Sequence, residues 1–270
     1  MTTPYAEVIG DPIAHSKSPL IHRFWLGKLG IEADYCATHV TGDGISAFFA
    51  GRAADASWRG CNVTVPHKLA VLDHVADPGG VRAGIGAANT IFRGEDGTLA
   101  ATNTDPAGFY APLADADLAG REVAVVGAGG AARAVLFALA RMGVGRVTVL
   151  NRTPLKGAGL LAAFGLKGQA LALDARLPAA ALLVNASSLG MEGQPPLNLD
   201  LSPLPADAIV YDIVYAPLVT PLLAAAEARG LETIDGLEML VGQAAAAFEL
   251  FFGQPAPREH DAELRERLLA

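Results

Sequence analysis

The sequence predicts an α/β protein built from two domains with a cleft between them. Short runs of apolar and β-branched residues alternate with longer helical segments, and this alternation is typical of parallel α/β architecture. The length of 270 residues fits one or two domains of ordinary size. Two α/β series follow one another along the chain, so we place residues 1–104 and 237–270 in the first domain and residues 105–236 in the second.

The first series contains three strands, three helices and a hairpin. The strands are expected at 5–9, 35–40 and 60–65, and the helices at 19–29, 45–54 and 106–113. Pro19 fits the first turn of its helix, because the N–H that proline lacks has no partner there. Two short runs at 90–92 and 99–102 flank Asp96-Gly97 and predict a β-hairpin.

The second series contains six strands, and helices continue from it to the end of the chain. The strands are expected at 123–126, 147–150, 170–173, 182–185, 209–213 and 232–234. The helices are expected at 131–142, 154–164, 220–229, 236–252 and 257–269. The last helices would fold back onto the first domain.

Charge and composition narrow the class of partner. The net charge is −8 and no run of lysine or arginine occurs, which argues against a nucleic-acid partner and a polybasic membrane anchor. The apolar stretches are too short to span a bilayer, and the first ten residues do not resemble a secretory signal. Cys36 and Cys61 are widely separated, which favours reduced thiols and no metal site. We expect a cytoplasmic protein with a small-molecule ligand, either a monomer or a homodimer.

A glycine-rich turn joins the strand at 123–126 to the helix at 131–142, and it runs Gly127-Ala128-Gly129-Gly130-Ala131-Ala132. Gly127 allows a tight turn, Gly129 lets the backbone approach a pyrophosphate, and Ala132 permits close packing of helix on strand. Backbone N–H groups and the dipole at the start of the helix then bind the phosphates. The pattern predicts a Rossmann-type dinucleotide-binding domain, and a tight turn without a ligand is the alternative.

The end of the next strand indicates which dinucleotide is bound. A site for NAD usually has an acidic residue there, but this chain has Asn151-Arg152-Thr153, with Lys156 one turn later. Arg152 can stack on adenine and pair with a 2′-phosphate, while Lys156 adds charge and Asn151 and Thr153 add hydrogen bonds. NADP is therefore the expected cofactor, unless Arg152 is only a solvated surface residue.

Polar residues in the first domain form a second group of candidates. Ser16 and Ser18 precede a helix, where two hydroxyl groups can bind a carboxylate, although Ser18 can equally act as a helix N-cap. Lys68 lies just past a strand end, and Asp105 lies at the exit of the hairpin. Because ligands of open α/β sheets bind at the carboxyl ends of strands, these segments can converge.

These blocks together resemble the shikimate dehydrogenase family over nearly the whole chain. The matching stretches are residues 11–19, 62–68, 86–90, 103–105, 127–132, 151–153, 185–191, 211–217 and 235–245. The resemblance implies NADPH-dependent, reversible reduction of 3-dehydroshikimate to shikimate in aromatic amino-acid biosynthesis. It also implies that Lys68 and Asp105 form a catalytic pair, in which a lysine beside a carboxylate relays the proton. His67 and His15 are expected to be structural.

The same resemblance assigns the remaining site residues. It implies that Ser16, Ser18 and Tyr215 bind the substrate carboxylate, and that Thr64, Asn89 and Gln243 line the hydroxyl side of the ring. Gln243 can alternatively face solvent. Asn185, Ser187, Gly236 and Met239 are expected on the cofactor side, although Met239 can equally be a core residue.

Two positions depart from the family pattern, and two other functions remain open. Ser187 replaces a common threonine, and Pro106 follows Asp105 where glycine is common. Because Pro106 can begin the helix after Asp105, we expect a changed hinge with retained chemistry. One alternative substrate is quinate, which carries an extra ring hydroxyl. The other alternative is a non-catalytic metabolite-sensing protein, which the presence of both Lys68 and Asp105 disfavours.

Overall fold

The chain divides into two compact units, Met1–Thr104 with Gln243–Ala270 and Asp105–Gly242. The structure is a computed structural model that describes residues 3–94 and 96–270. Met1, Thr2 and Glu95 lie outside the described residues, and Glu95 belongs to the predicted hairpin turn. The predicted α/β fold with two sheets is confirmed. The division falls inside a long helix that starts at Gly236, whereas the sequence places the boundary near the start of that helix.

The first unit is organised around a five-stranded sheet. Its strands are β1 (Tyr5–Gly10), β2 (Asp34–His39), β3 (Trp58–Val63), β4 (Thr90–Arg93) and β5 (Leu99–Thr102). The order is β2-β1-β3-β4-β5; β1 is parallel to β2 and β3, and β4 is antiparallel to both of its neighbours. The connections contain α1 (Ser18–Leu29), α2 (Ile45–Ala53) and the short α3 (Val81–Gly84). Since the chain leaves β1 for β2 on one side and returns to β3 on the other, the sheet has a switch point between β1 and β3.

The second unit contains a six-stranded parallel sheet in the order β11-β10-β9-β6-β7-β8. The strands are β6 (Glu122–Val126), β7 (Arg146–Leu150), β8 (Gly168–Leu171), β9 (Leu182–Asn185), β10 (Ile209–Asp212) and β11 (Glu232–Ile234). The helices are α4 (Asp105–Tyr110), α5 (Gly130–Arg141), α6 (Pro154–Ala163), α7 (Pro221–Glu227) and the start of α8 (Gly236–Phe252). The order reverses between β6 and β9, so the switch point of this sheet lies there.

Alternation along the strands builds the two cores of the second unit. On β6, Val123 and Val125 belong to one apolar cluster, while Ala124 and Val126 belong to another. Because successive side chains of a strand point to opposite faces, the two clusters cover the two faces of the sheet. Every strand residue named here is buried to 1% exposure or less, which explains why the strand is apolar throughout.

The C-terminal segment of the chain completes the first unit. Ala247 and Phe251 of α8 pack in an apolar cluster with Ala6 and Val8 of β1, and α9 (Asp261–Leu269) follows. No helix within residues 3–94 and 96–270 is long and apolar enough to cross a membrane.

Two strands and three helices differ from the sequence-based expectations by two residues or more at one end, and one of these helices, expected at 220–229, is α7 (Pro221–Glu227). The strand expected at 60–65 is Trp58–Val63, and the strand expected at 170–173 is Gly168–Leu171. The helix expected at 106–113 is α4 followed by a single 3-10 turn at Ala111–Leu113, because Pro112 has no N–H to continue the α-helical ladder. The helix expected at 257–269 is α9, preceded by a 3-10 turn at Arg258–His260.

Candidate functional site

The turn after β6 has the backbone that a dinucleotide site requires. Gly127 has a φ of +107°, and a Cβ atom there would lie 2.8 Å from the carbonyl oxygen of Ala186. Gly129 is the N-cap of α5, where no side chain caps the helix, and a Cβ atom at Gly129 would meet nothing within 4 Å. Ala132 is 0% exposed, as expected for the small residue that packs helix on strand. The turn therefore presents open space and the N-terminus of a 12-residue helix at the switch point of the sheet.

The segment after β7 is cationic and exposed. Arg152, Thr153 and Lys156 are exposed, and Asn151 is half-buried with its Nδ2 donating to the Thr153 carbonyl at 2.9 Å. The N–H of Lys156 donates to the same carbonyl at 3.0 Å, which places Lys156 in the first turn of α6. Residues 151–163 contain no aspartate or glutamate. The segment can thus bind a phosphate group without competition from a carboxylate of its own.

The loop after β9 is ordered by a buried amide. Asn185 is 0% exposed, and its Oδ1 accepts from the N–H and the hydroxyl of Ser187 at 3.1 and 2.7 Å. Its Nδ2 donates to the Leu189 carbonyl and to Oδ1 of Asp212, each at 2.9 Å. These contacts fix the backbone of the loop that faces Gly127 across the switch point.

Asp212 accepts the hydrogen bonds that order the neighbouring loop. No role was assigned to this residue from the sequence. Its carboxylate is 0% exposed and accepts from Asn185, from the Val214 N–H at 3.0 Å and from the Thr220 hydroxyl at 2.7 Å. Burial raises the pKa of this carboxyl group, and the hydrogen bonds oppose that shift. The sequence carries a signal for one of these partners: Thr220-Pro221 is a typical start of a helix, and the Thr220 hydroxyl group is a donor to Asp212.

Tyr215, Gly236 and Met239 also lie in the second unit. Tyr215 is half-buried three residues after Asp212, and burial raises the pKa of its hydroxyl group. A Cβ atom at Gly236 would lie 2.5 Å from the carbonyl oxygen of Ile213, so close packing alone requires glycine there. Met239 is 6% exposed within the apolar core, which favours the packing role that the sequence left open.

In the first unit, Ser16 and Ser18 lie after β1 at the start of α1. The N–H of Ser18 donates to Oγ of Ser16 at 3.3 Å, and Ser18 is the first residue of the helix. The N-cap is Lys17 and no side chain caps this helix, so the alternative in which Ser18 is the N-cap is wrong. Ser18 is 5% exposed and Ser16 is half-buried.

Thr64 and Lys68 lie after β3, at the same edge of the sheet as Ser16. Both are half-buried. A Cβ atom at Gly10 would lie 2.6 Å from Cγ2 of Thr64, so the loops after β1 and β3 approach closely. His67 is 2% exposed and its Nε2 lies 2.6 Å from the Val40 carbonyl oxygen, in agreement with a structural role.

Asn89 and Gln243 are buried, at 2% and 9% exposure, and they are hydrogen-bonded to each other. Nδ2 of Asn89 donates to Oε1 of Gln243 at 3.3 Å and to Oγ1 of Thr104 at 2.9 Å. The alternative in which Gln243 faces solvent is therefore wrong. Asp105, 4% exposed, is the first residue of α4 in the second unit.

Sequence reasoning gave no role to Asn62 and Thr90, which are 5% and 0% exposed and hydrogen-bonded to each other. The available signal was a polar residue inside each of two strands that are otherwise suited to a core.

Three family models match this chain. The shikimate dehydrogenase substrate-binding domain matches residues 8–91, the shikimate/quinate 5-dehydrogenase model matches residues 111–188, and the shikimate 5′-dehydrogenase C-terminal domain matches residues 236–263.

Similar proteins cover nearly the full chain. A shikimate dehydrogenase (NADP(+)) from Sphingopyxis alaskensis is 69% identical over 268 residues, which is 99% of this chain and 98% of that protein. The solved shikimate 5-dehydrogenase of Thermus thermophilus in complex with NADP(H) and shikimate is 37% identical, with a TM-score of 0.86 over 98% of this chain and 100% of that one. The 5-ketofructose reductase of a Gluconobacter strain is 31% identical, with a TM-score of 0.88 over 99% of both chains. The chain belongs to the shikimate dehydrogenase family.

Proposed function

We propose that this chain catalyses the reversible, NADPH-dependent reduction of 3-dehydroshikimate to shikimate, in the cytoplasm and as a step of aromatic amino-acid biosynthesis. The observation that carries the proposal is the 69% identity over 268 residues to a protein named shikimate dehydrogenase (NADP(+)). We assign most substrate contacts to residues of the first unit and cofactor binding to the second unit, while Asp105 and Tyr215 of the second unit are also assigned to the substrate. Lys68 and Asp105, the pair that the family resemblance implies, are both present.

The residues of the second unit fit NADP. The open space at Gly129 and the uncapped start of α5 suit a pyrophosphate, and Ala128, Gly130 and Ala131 contribute backbone to the same turn. Arg152 and Lys156 suit the 2′-phosphate, with Asn151 and Thr153 beside them, and the loop of Asn185 and Ser187 suits the nicotinamide side. When bound, NADPH supplies the hydride that adds to the ketone carbon of the substrate.

Lys68 and Asp105 are the proposed catalytic residues. The ketone oxygen gains negative charge during reduction, and Lys68 donates the proton that this oxygen needs. We assign to Asp105 the orientation of the lysine and of a ring hydroxyl of the substrate, the role that the family resemblance implies. The contribution of Lys68 follows from its charge as well as its proton, since both stabilise the forming alkoxide.

Hydroxyl and amide groups of this chain are assigned to the rest of the substrate. Ser16, Ser18 and Tyr215 donate hydrogen bonds to the carboxylate. Burial moves the pKa of the Tyr215 hydroxyl group further above its usual value, and this group is a hydrogen-bond donor. Thr64, Asn89 and Gln243 bind the ring hydroxyls.

Initial rates with purified protein test the proposal. Shikimate and quinate are each assayed with NADP and NAD, and 5-ketofructose is assayed with NADPH. We expect kcat/KM for shikimate with NADP to exceed every other combination by at least about ten-fold. A higher value for quinate or 5-ketofructose would reject the substrate, and a higher value with NAD would reject the cofactor.

Substitution of Lys68 tests the proton relay. Lys68→Ala should lower kcat by about a hundred-fold or more, because general acid catalysis contributes factors of this size. The Kd of NADP should stay within about two-fold of the wild-type value. Lys167→Ala, at an exposed lysine before β8, is the matched control and should leave kcat unchanged. Near-normal turnover of Lys68→Ala would exclude the relay.

A further inference from the structure

A chain of buried polar side chains crosses the sheet of the first unit and runs through Asn89 to Thr104 and Gln243. Its members share low exposure and mutual hydrogen bonds, and they are Tyr35, Asn62, Thr90, Asn89, Thr104 and Gln243. Polar groups in a core are stabilising only when they are paired, and a paired network fixes one arrangement of its donors and acceptors. The chain therefore specifies the orientation of each amide in it.

Asn62 on β3 has both ends of its amide engaged. Nδ2 donates to the Asn89 carbonyl oxygen at 3.3 Å and to Oγ1 of Thr90 at 3.0 Å. Because a carbonyl oxygen can only accept, the nitrogen must face Asn89 and Oδ1 must face the opposite side. There Oδ1 accepts the Tyr35 hydroxyl at 2.6 Å. Burial raises the pKa of Tyr35 well above its usual value, so this donor keeps its proton.

Thr90 passes this orientation to Asn89. Its hydroxyl group accepts from Asn62 and donates to Oδ1 of Asn89 at 2.9 Å. The backbone N–H of Thr104 donates to the same oxygen at 2.7 Å. Because a backbone N–H can only donate, this contact leaves one amide orientation, in which Nδ2 faces Oγ1 of Thr104 and Oε1 of Gln243.

We propose that Asn62 and Thr90 are positioning residues that fix the amide of Asn89, and through it that of Gln243, for recognition of the substrate ring hydroxyls, in which a ring hydroxyl replaces the 3.3 Å contact between Asn89 and Gln243. Thr90 is 0% exposed and cannot touch a ligand, so it acts only through Asn89. The inference rests on the proposed function, because it assumes that Asn89 and Gln243 bind the substrate. It adds the reason why two polar side chains are buried inside β3 and β4, where paired residues Asn62 and Thr90 lie opposite each other.

The variant Thr90→Val tests this role, because valine has nearly the same shape but no hydroxyl group. We expect KM for shikimate to rise by about five-fold or more, the range that loss of a buried hydrogen bond produces. KM for NADP should stay within about two-fold. Tyr35→Phe, which removes the far end of the chain, should raise KM for shikimate by a smaller factor. Thr90→Ser restores the hydroxyl group and should return KM to within about two-fold of the wild type.

The matched control is Thr148→Val on β7, a threonine that is 1% exposed and lies in the second unit. It should lower Tm without changing KM for shikimate, as a purely structural threonine would. If Thr90→Val folds and keeps KM for shikimate within two-fold, the proposal is overturned. If Thr90→Val does not fold, an unchanged KM in Tyr35→Phe overturns it. The wild-type assay separates the two proposals: activity with another ring substrate would reject shikimate, and the same variants would then be measured with that substrate.

Discussion

Replacing His22 by phenylalanine should make the first unit less sensitive to acid. The side chain of His22 on α1 is 0% exposed and stacks parallel to Tyr35, with the ring centroids 3.9 Å apart. Phe248 and Trp25 also border the ring, each with centroids 5.8 Å away. Within the described part of the chain, neither ring nitrogen has a hydrogen-bond partner. Burial lowers the pKa of His22 to about 3 from 6.5.

The sign and size of the effect follow from this pKa. Below pH 6.5 the unfolded chain binds a proton at His22, but the folded protein does not do so until the pH approaches 3. Stability is therefore complete above pH 6.5 and falls as the pH drops towards 3. Integration between these two pKa values gives a loss of about 2 kcal/mol at pH 5 relative to neutral pH.

Urea unfolding at pH 7 and pH 5 measures this loss. Trp25 and Trp58 are the two tryptophans of the chain, and both are buried in the first unit, so their fluorescence reports the unfolding of that unit. The difference in unfolding free energy between the two pH values should shrink by about 2 kcal/mol in His22→Phe. His22→Gln should shrink it equally, although its stability at pH 7 will differ because glutamine packs differently. If both variants keep the wild-type pH difference, His22 is not the group that titrates.

Three further substitutions separate the parts of the cofactor site. Gly127→Ala should lower Tm and also weaken NADPH binding, because alanine is strained at a φ of +107° and its methyl group would press on the Ala186 carbonyl. Gly129→Ala should keep Tm but weaken NADPH binding by about ten-fold or more, since its methyl group fills only the space for the ligand. Fluorescence titration with NADPH and a thermal scan distinguish these outcomes, and a loss of Tm in Gly129→Ala would show that its role is structural. Arg152→Asp should lower the ratio of kcat/KM with NADP to kcat/KM with NAD by about ten-fold or more. The control Arg146→Asp, at the opposite end of β7, should leave this ratio unchanged. An unchanged ratio in Arg152→Asp would contradict the assignment of Arg152 to the 2′-phosphate.

The strands could be predicted from composition, except for boundaries where tertiary packing determines which residue type is tolerated. Gly60 marks the expected start of a strand, yet β3 begins two residues earlier at Trp58. A Cβ atom at position 60 would lie 2.5 Å from the Ile91 carbonyl oxygen and from the ring of Phe251. Phe251 is far away in sequence, so no local pattern shows that this glycine belongs inside the strand. Tertiary contacts of this kind move strand boundaries away from those that propensity suggests.

The candidate site was predictable as segments and not as hydrogen bonds. Turns such as that at Gly127 carry their chemistry in local sequence, because a strand, a turn and a helix follow one another directly. The pairing of Asn62 with Thr90 instead depends on the register of β3 against β4, and that of Asn89 with Gln243 joins residues far apart in the chain. Sequence spacing carries no information on such contacts, since register is fixed by packing and turn geometry.

The two sheets share a close approach of neighbouring loops at the switch point, but they present different chemical groups there. In each, a loop must pass close to its neighbour at the switch point, and in each a glycine allows this: Gly10 against Thr64 in the first unit, and Gly127 against Ala186 in the second. The second unit then exposes the backbone start of α5, which suits phosphate groups common to every dinucleotide. The first unit instead presents hydroxyl, amide and ammonium side chains, which can distinguish one pattern of ring substituents from another. Substitutions in the first unit should therefore change which ring is reduced, whereas substitutions around Gly127 should change binding of all dinucleotides alike.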